Sequence, residues 1–322
     1  IAEGVCVRVT LDRALGFLPV VRRECRNTYR RLQKEGIDVA LSDPRPFPDS
    51  PTHTPVIHNK LLVIDDEEAM VGGMNVGSLF FRHHDVMIHL RGPAARALGR
   101  QFDYDRQFVL DAQQQRPAGS HTRPPFRTQH HPEDTWARLL GTGVGRRTTR
   151  DAIVERLRAA RSSIFIAMSE IGRTDVLREV IAAKERGLDV RVLVDPQDIR
   201  EYLPPFLGAL RGFVTKGALN ALAVKELLEK HISVRNFTVG DEFALLHLKM
   251  AVFDEESAIV GSTNWTRGGF GWVGETDIEL RGGQVIGQLT RQFNRDWDSA
   301  APAAMPSPMA RFACRIYERL VQ

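Results

Sequence analysis

One sparse pattern occurs twice in this chain at identical spacing, and it ties two distant stretches to a single architecture. His58, Lys60, Asp65 and Asn75 recur as His247, Lys249, Asp254 and Asn264. In both copies Lys lies two, Asp seven and Asn seventeen residues after His. Each of these residue types makes up only a few per cent of an average chain, so one such match arises by chance in fewer than about one chain in a thousand. Two matches at one spacing are therefore a repeat. Residues two apart share a strand face, so the His and Lys of each copy point the same way. Leu61 to Ile64 and Met250 to Phe253 read as buried strands that carry them. Gly72 and Gly261, three residues before each Asn, let the backbone turn closely and return the amide to the His/Lys face.

The surrounding elements read as α/β. In the second half Thr149 to Ala160 has helical spacing with Ile153 and Leu157 on one face, and Ser163 to Met168 is a short apolar strand. Thr174 then caps a helix that buries Val176, Leu177, Val180 and Ile181 and stops at Gly187, before a strand, Val190 to Val194, that ends in Asp195. In the first half Gly4 to Asp12 resembles Gly187 to Asp195, but the preceding strand and helix have no partner there. Reading the repeat literally, we expect the chain to begin inside its first lobe, about one strand and one helix late. A polar, Pro-containing stretch separates the copies, which gives a first lobe at 1–112, a linker at 113–135 and a second lobe at 136–322. Residues 42–55 form a second loop, with five prolines.

Composition narrows the chemistry. Cys6, Cys25 and Cys314 are odd in number and widely spaced, which argues against a disulfide framework or a zinc site and favours a reducing, cytoplasmic compartment or a peripheral membrane position. There is no run of eighteen apolar residues, and residues 1–11 lack the layout of a signal peptide. The net charge is +4 and only seven of the 44 basic residues are Lys, so guanidinium groups suited to phosphate dominate. Genomic base composition explains the same excess, so charge does not decide the substrate. The doubled motif is more informative: two imidazoles, two ammonium groups and two amides can surround one phosphodiester.

The paired H-x-K-x4-D, each followed by G-G/S-x-N, resembles the phospholipase D superfamily, and the likeness covers both halves. The first copy's setting, Gly72-Gly-Met-Asn75, then Asp85, then Arg91-Gly-Pro93 before a helix ending near Phe108, is most similar to the bacterial branch that contains cardiolipin synthases and related phospholipases. The resemblance implies two similar lobes, each a mixed sheet flanked by helices, related by a pseudo-two-fold axis with both motifs at the seam. It implies His58 as the nucleophile that forms a phosphohistidine and His247 as acid and base, with the reverse assignment open. Lys60, Lys249, Asn75 and Asn264 would hold the non-bridging oxygens, and no metal or cofactor is called for. Asp65 and Asp254 would be structural. Asp85 and Glu275 would orient the histidines across the lobes, Glu275 on His58 and Asp85 on His247, with Asp277 a rival on the same strand face. The first copy departs from the second in having Gly73 where the second has Ser262, so a substrate-binding hydroxyl can come only from Ser262.

The expectation is a phosphodiesterase acting on phospholipid, with water or an alcohol as acceptor. Apolar stretches near the motifs, Leu79 to Phe81, Tyr202 to Leu210 and Phe270 to Trp272, suit peripheral membrane contact. A nuclease of the same superfamily is the alternative, weakened by the absence of aromatic residues interleaved with a basic run. An inactive binding module is the third reading. The adjacent His83–His84 and His130–His131 pairs read as solvent-exposed, and the last helix, near 309–320, as packing. A single chain completes the site, so a monomer suffices.

Overall fold

In the computed structural model the described residues are 4–12, 19–42, 56–77, 82–116, 129–130, 135–143, 146–196, 219–238 and 245–320. The first half runs β1 (Arg8–Leu11), α1 (Pro19–Lys34), β2 (Asp38–Leu41), β3 (Lys60–Ile64), β4 (Glu68–Gly72), β5 (Met87–Arg91) and α2 (Pro93–Gln113). After two further strands, the short β6 (Gln129–His130) and the longer β7 (Trp136–Gly143), come β8 (Arg146–Arg147), α3 (Thr148–Ala159), β9 (Ser163–Met168), α4 (Asp175–Glu185) and β10 (Asp189–Val194). The chain continues through α5 (Ala221–Glu229), β11 (Ser233–Asn236), β12 (Lys249–Phe253), β13 (Ser257–Gly261), α6 (Arg267–Gly271), β14 (Thr276–Arg281), α7 (Gly283–Ser299), β15 (Ala301–Pro302) and α8 (Pro308–Leu320). None of the described helices is long and apolar enough to cross a membrane.

Among the described residues the second half forms one mixed sheet in the order β15-β11-β10-β9-β12-β13-β14-β7-β6, with β8 on β7. The strand β9 is its pivot: it pairs parallel to β10 and antiparallel to β12. Its sequence, Ser-Ile-Phe-Ile-Ala-Met, is buried throughout, as a central strand covered on both faces requires. Successive side chains alternate. Ile164, Ile166 and Met168 join Ala251 and Phe253 of β12 in a core with Ile153 and Leu157 of α3 and Val176, Leu177 and Val180 of α4. Phe165, Ala167, Met250 and Val252 face the other way, onto Leu289, Phe293 and Trp297 of α7. The first half packs on that second side, where Ala69, Val71, Ile88, Ala95 and Leu98 share the same core.

The first half differs from the single mixed sheet expected of it. Its described strands form two sheets, β1 parallel to β2, and an antiparallel β3-β4-β5. The strand that joins such pieces in the second half is β9, and no described strand of the first half occupies the corresponding place. The outer face of β3-β4-β5 is correspondingly open: Leu62, Ile64 and Met70 are 52%, 50% and 41% exposed. Their counterparts Ala251, Phe253 and Ile259 lie in the core beneath α3 and α4.

The motif aspartates sit in matching hairpin turns. Asp65–Asp66 and Asp254–Glu255 have φ between 53° and 57°, the left-handed central pair of turns closed by Glu67 N–H to Ile64 O and Glu256 N–H to Phe253 O at 3.0 Å. Only Asp254 is also a hub. Its carboxylate accepts the backbone N–H groups of Arg161, Ser162 and Ser163 and the Ser162 hydroxyl, at 2.8–3.1 Å. Burial opposes its charge, but these donors outweigh burial and hold its carboxyl below the ordinary value. Asp65 is exposed. We expect Asp254→Ala to cost about 2–3 kcal/mol more than Asp65→Ala. Both lose the same turn preference, so urea unfolding of the pair isolates the Asp254 hub, and equal losses would remove it as a stabilising feature.

Candidate active site

The two motif histidines are held by one set of bonds used twice. At the end of β1, Asp12 accepts the backbone N–H of Ile57, just before His58, at 2.7 Å. At the end of β10, Asp195 accepts the N–H of Leu246, just before His247. The chain of each motif then pairs with the other half. His58 N–H donates to Gly274 O and Gly274 N–H to Val56 O, while His247 N–H donates to His84 O and His84 N–H to Leu245 O, at 2.8–3.0 Å. Gly274 and His84 immediately precede Glu275 and Asp85. Each carboxylate is thereby carried to the opposite half's histidine by a short parallel bridge.

The side chains complete this exchange. His58 Nδ1 lies 2.8 and 3.0 Å from the two Glu275 oxygens, and His247 Nδ1 lies 2.7 Å from Asp85 Oδ2. Both carboxylates are 2% exposed, whereas the rings keep 22% and 13% of their surface open. Lys60 Nζ donates to its own motif's His58 O at 2.6 Å and Lys249 Nζ to His247 O at 2.7 Å. Both lysines are buried. Asp277, the expected rival of Glu275, turns away and accepts the hydroxyls of Thr149 and Thr263 at 2.7 and 2.5 Å.

The glycines before each Asn act differently from expectation. A Cβ on Gly72 would lie 2.1 Å from Val86 O, and one on Gly261 would lie 2.1 Å from Asp277 Oδ1. Their absence of side chain lets a neighbouring strand approach, and neither needs a left-handed turn. A Cβ on Gly73 would lie 2.4 Å from Asp85 Oδ1, so the first copy has no room for the hydroxyl found in the second. Ser262, expected to bind substrate, is fully buried. It accepts Thr276 N–H at 3.1 Å, and its single hydroxyl proton is directed to Thr276 O at 3.2 Å or to Glu275, whose charged form it favours, so it stands behind the carboxylate and not on the open side. Asn75 is half-buried between exposed Met74 and Val76. Among the described residues, Asn264 Oδ1 is buried without a hydrogen-bond partner. Trp272, at the end of α6, is 39% exposed, while Phe270 is buried. The expected apolar segments 79–81 and 202–210 lie outside the described residues.

Burial sets the electrostatics of the site. It pushes Lys60 down to about 7 and Lys249 down to about 8, against the nearby carboxylates that favour their charge. It pushes Glu275 up to about 8 and Asp85 up to about 6, and with the two lysines it drives both histidines well below their ordinary value. An entering anion reverses the balance by restoring charge to the lysines. We therefore expect the affinity for sulfate, which keeps one charge state across this range, to be highest below about pH 7. It should fall by more than about tenfold by pH 9, as Lys60 and then Lys249 lose their protons. Calorimetric titration at several pH values checks this, and a flat profile would remove the lysines as the anion ligands. Among the described residues no group of three or more His, Cys, Asp or Glu could hold a metal ion.

Several neighbours of the site carried no sequence signal. His83 and His84, read as exposed, are neither exposed nor free-standing. His84 Nε2 is 2.9 Å from Asp296 and its ring stacks on Phe237 at 4.9 Å. His83 meets His247 edge-on, with ring centroids 5.5 Å apart. Glu170 follows β9, influences Lys249 and Glu275 electrostatically, and accepts the Tyr317 hydroxyl of α8 at 3.0 Å. The pairing of Asp12 with Asp195 was visible in the repeated strand, but their bonds to the motif backbone were not.

Comparison with known proteins places this geometry among relatives. The family model described as "Cardiolipin synthase, PLD-like domain" matches residues 1–106 and 153–297. A probable cardiolipin synthase of Bacillus subtilis is 24% identical over 304 residues, which cover 91% of this chain and 55% of that protein. A cardiolipin synthase of Halalkalibacterium halodurans is 24% identical over 280 residues, 81% of this chain and 49% of its own length. The chain thus spans about half the length of the curated relatives it matches. A solved phosphatidylserine synthase from Haemophilus influenzae superposes with a TM-score of 0.65 at 12% identity, covering 98% of this chain and 88% of that one. That likeness is one of fold.

Proposed function

The chain belongs to the family of cardiolipin synthase PLD-like domains, and on that premise we propose that it transfers the phosphatidyl group of a phospholipid to water or an alcohol through a phosphohistidine. The reading is carried by the crossed pairs, His58 on Glu275 and His247 on Asp85, with Lys60 and Lys249 beside them. His58 Nδ1 is engaged by Glu275, which leaves Nε2 to attack phosphorus. The P–O bond to the leaving alcohol breaks, and His247, protonated once the bound phosphate anion offsets the charge of Lys60 and Lys249, supplies the proton that this oxygen needs. His247 then takes a proton from the incoming water or alcohol, whose oxygen displaces the P–N bond and frees His58. Lys60, Lys249, Asn75 and Asn264 hold the non-bridging oxygens as charge builds on them. Ser262 acts on the site through Glu275. The two halves, 1–112 and 136–322, act as lobes that each supply one motif.

A lipid substrate is favoured over nucleic acid by the apolar residues beside the motif asparagines. Val76 is 90% exposed, and Met74 and Trp272 are each 39% exposed. The test is incubation with mixed phospholipid vesicles and a primary alcohol in EDTA, read by mass spectrometry. Phosphatidic acid or a phosphatidyl-alcohol is the expected product. Turnover of an oligonucleotide and none of lipid, by folded protein, would replace this reading with the nuclease one.

A further inference from the structure

The C-terminal helix α8 has two faces with separate uses. Its inner face is fixed: Ala310 and Cys314 pack on Ala221 and Leu222 of α5, and the Cys314 thiol donates to Leu219 O at 3.3 Å. Tyr317 reaches Glu170 beside the active site, and Arg173 pairs with Glu318 at 2.7 Å. The outer face has the opposite character. Met309, Phe312 and Ile316 are 44%, 59% and 44% exposed, and Met305, just before the helix, is 51% exposed. At 3.6 residues per turn these three helical side chains fall in a stripe about 60° wide, turned away from Ala310 and Cys314. Arg311, Arg315 and Arg319 form a row along one border of that stripe. Among the described residues none of the three guanidinium groups has an acidic partner, and the helix's one acid, Glu318, is already paired.

We infer that the outer face of α8 docks on an anionic phospholipid surface. Met309, Phe312 and Ile316 would enter the acyl boundary while the Arg row meets the head-group phosphates. An apolar stripe bordered by cations, with no free acid, is the composition that lies in a bilayer interface, whereas a few scattered surface apolar residues carry no such pattern. A second copy of this chain would bring another Arg row and no acid to receive the first. The anionic surface satisfies both parts of the face at once. The Tyr317–Glu170 bond connects the docked helix to the residues around Lys249. The inference rests on the proposed lipid substrate for the identity of its partner, so its test reads binding and not turnover.

The probe is a vesicle of phosphatidylcholine with phosphatidylglycerol, compared with phosphatidylcholine alone. A Phe312→Trp variant should show tryptophan emission quenched by brominated acyl chains, beyond the quenching of the wild type. Phe312→Glu with Ile316→Glu, and separately Arg315→Glu with Arg319→Glu, should each reduce co-sedimentation with anionic vesicles by more than about tenfold. All four positions are on the outer face, and circular dichroism checks that the variants fold. Their turnover of a short-chain phospholipid dissolved as monomers should match the wild type. Vesicle binding unchanged in both double variants, or no added quenching in the Phe312→Trp variant, would overturn the docking face. So would a solution dimer that Phe312→Glu dissociates, because the stripe would then lie between copies. Docking with no lipid turnover would retain this inference and reject the lipid substrate alone.

Discussion

Replacing His58 by Ala is expected to lower lipid turnover by about 10⁴-fold or more, because under the proposed mechanism it removes the atom that would bond to phosphorus. Replacing His247 by Ala should cost about 10²–10⁴-fold, the usual contribution of a positioned acid and base. The two differ in kind as well as size. With a phospholipid labelled at phosphorus, His247→Ala should slow release of a covalent adduct and let it accumulate, whereas His58→Ala should form none. An adduct formed by His58→Ala and absent from His247→Ala would exchange the two roles. Residual turnover within about tenfold of wild type in both would end the phosphohistidine mechanism for this chain.

Glu275→Gln is expected to lower kcat by about 10²–10⁴-fold with little change in KM, as is seen when a buried carboxylate behind a catalytic histidine becomes an amide. Glu275 is 2% exposed and bonds His58 Nδ1 through both oxygens. An amide keeps the shape but cannot stabilise the imidazolium, and its N–H₂ group faces the ring where an acceptor is needed. A structural role alone would lower stability and leave kcat per folded molecule near wild type. Ser262→Ala should produce a weaker version of the same effect, since its hydroxyl supports the carboxylate and touches nothing on the open side. A Glu275→Gln loss below about tenfold, in protein that melts normally, would separate this carboxylate from the chemistry.

The strands that follow the two histidines were legible in the sequence, although each begins at its Lys, at Lys60 and Lys249, with the His just before it. These strands and the buried helical faces of α3 and α4 follow from period-two and period-3.6 spacing, and the α/β class follows from their alternation. The repeat also brought out Asp12 and Asp195 as a matched pair. What spacing could not supply was direction. Glu275 and Asp277 share a strand face, and only tertiary packing sends one to His58 and the other to Thr149 and Thr263. Ser262 has the place of a ligand in the motif, but the close approach of β14 turns its hydroxyl inward. His83 and His84 carry no periodic signal because their positions come from the bridge that His84 makes with Leu246, a contact between residues far apart in the chain. The division of the first half into two sheets was hidden for a related reason. Strand identity is written locally, while the partner of each edge is not.

The core beneath the first half has a consequence for how the molecule is lost and kept. Among the described residues, Ala69, Val71, Ile88, Ala95 and Leu98 share one apolar cluster with Leu139, Leu246, Met250, Val260 and Ile278 of the second half. Separating the halves exposes both sides of that contact together with the two buried carboxylates. The cost therefore falls on one cooperative event and not on two independent ones. Heat, denaturant or a protease should meet a single melting unit in which activity and compactness vanish together. Substitutions under β4 would then be felt at His247 as strongly as substitutions beside it.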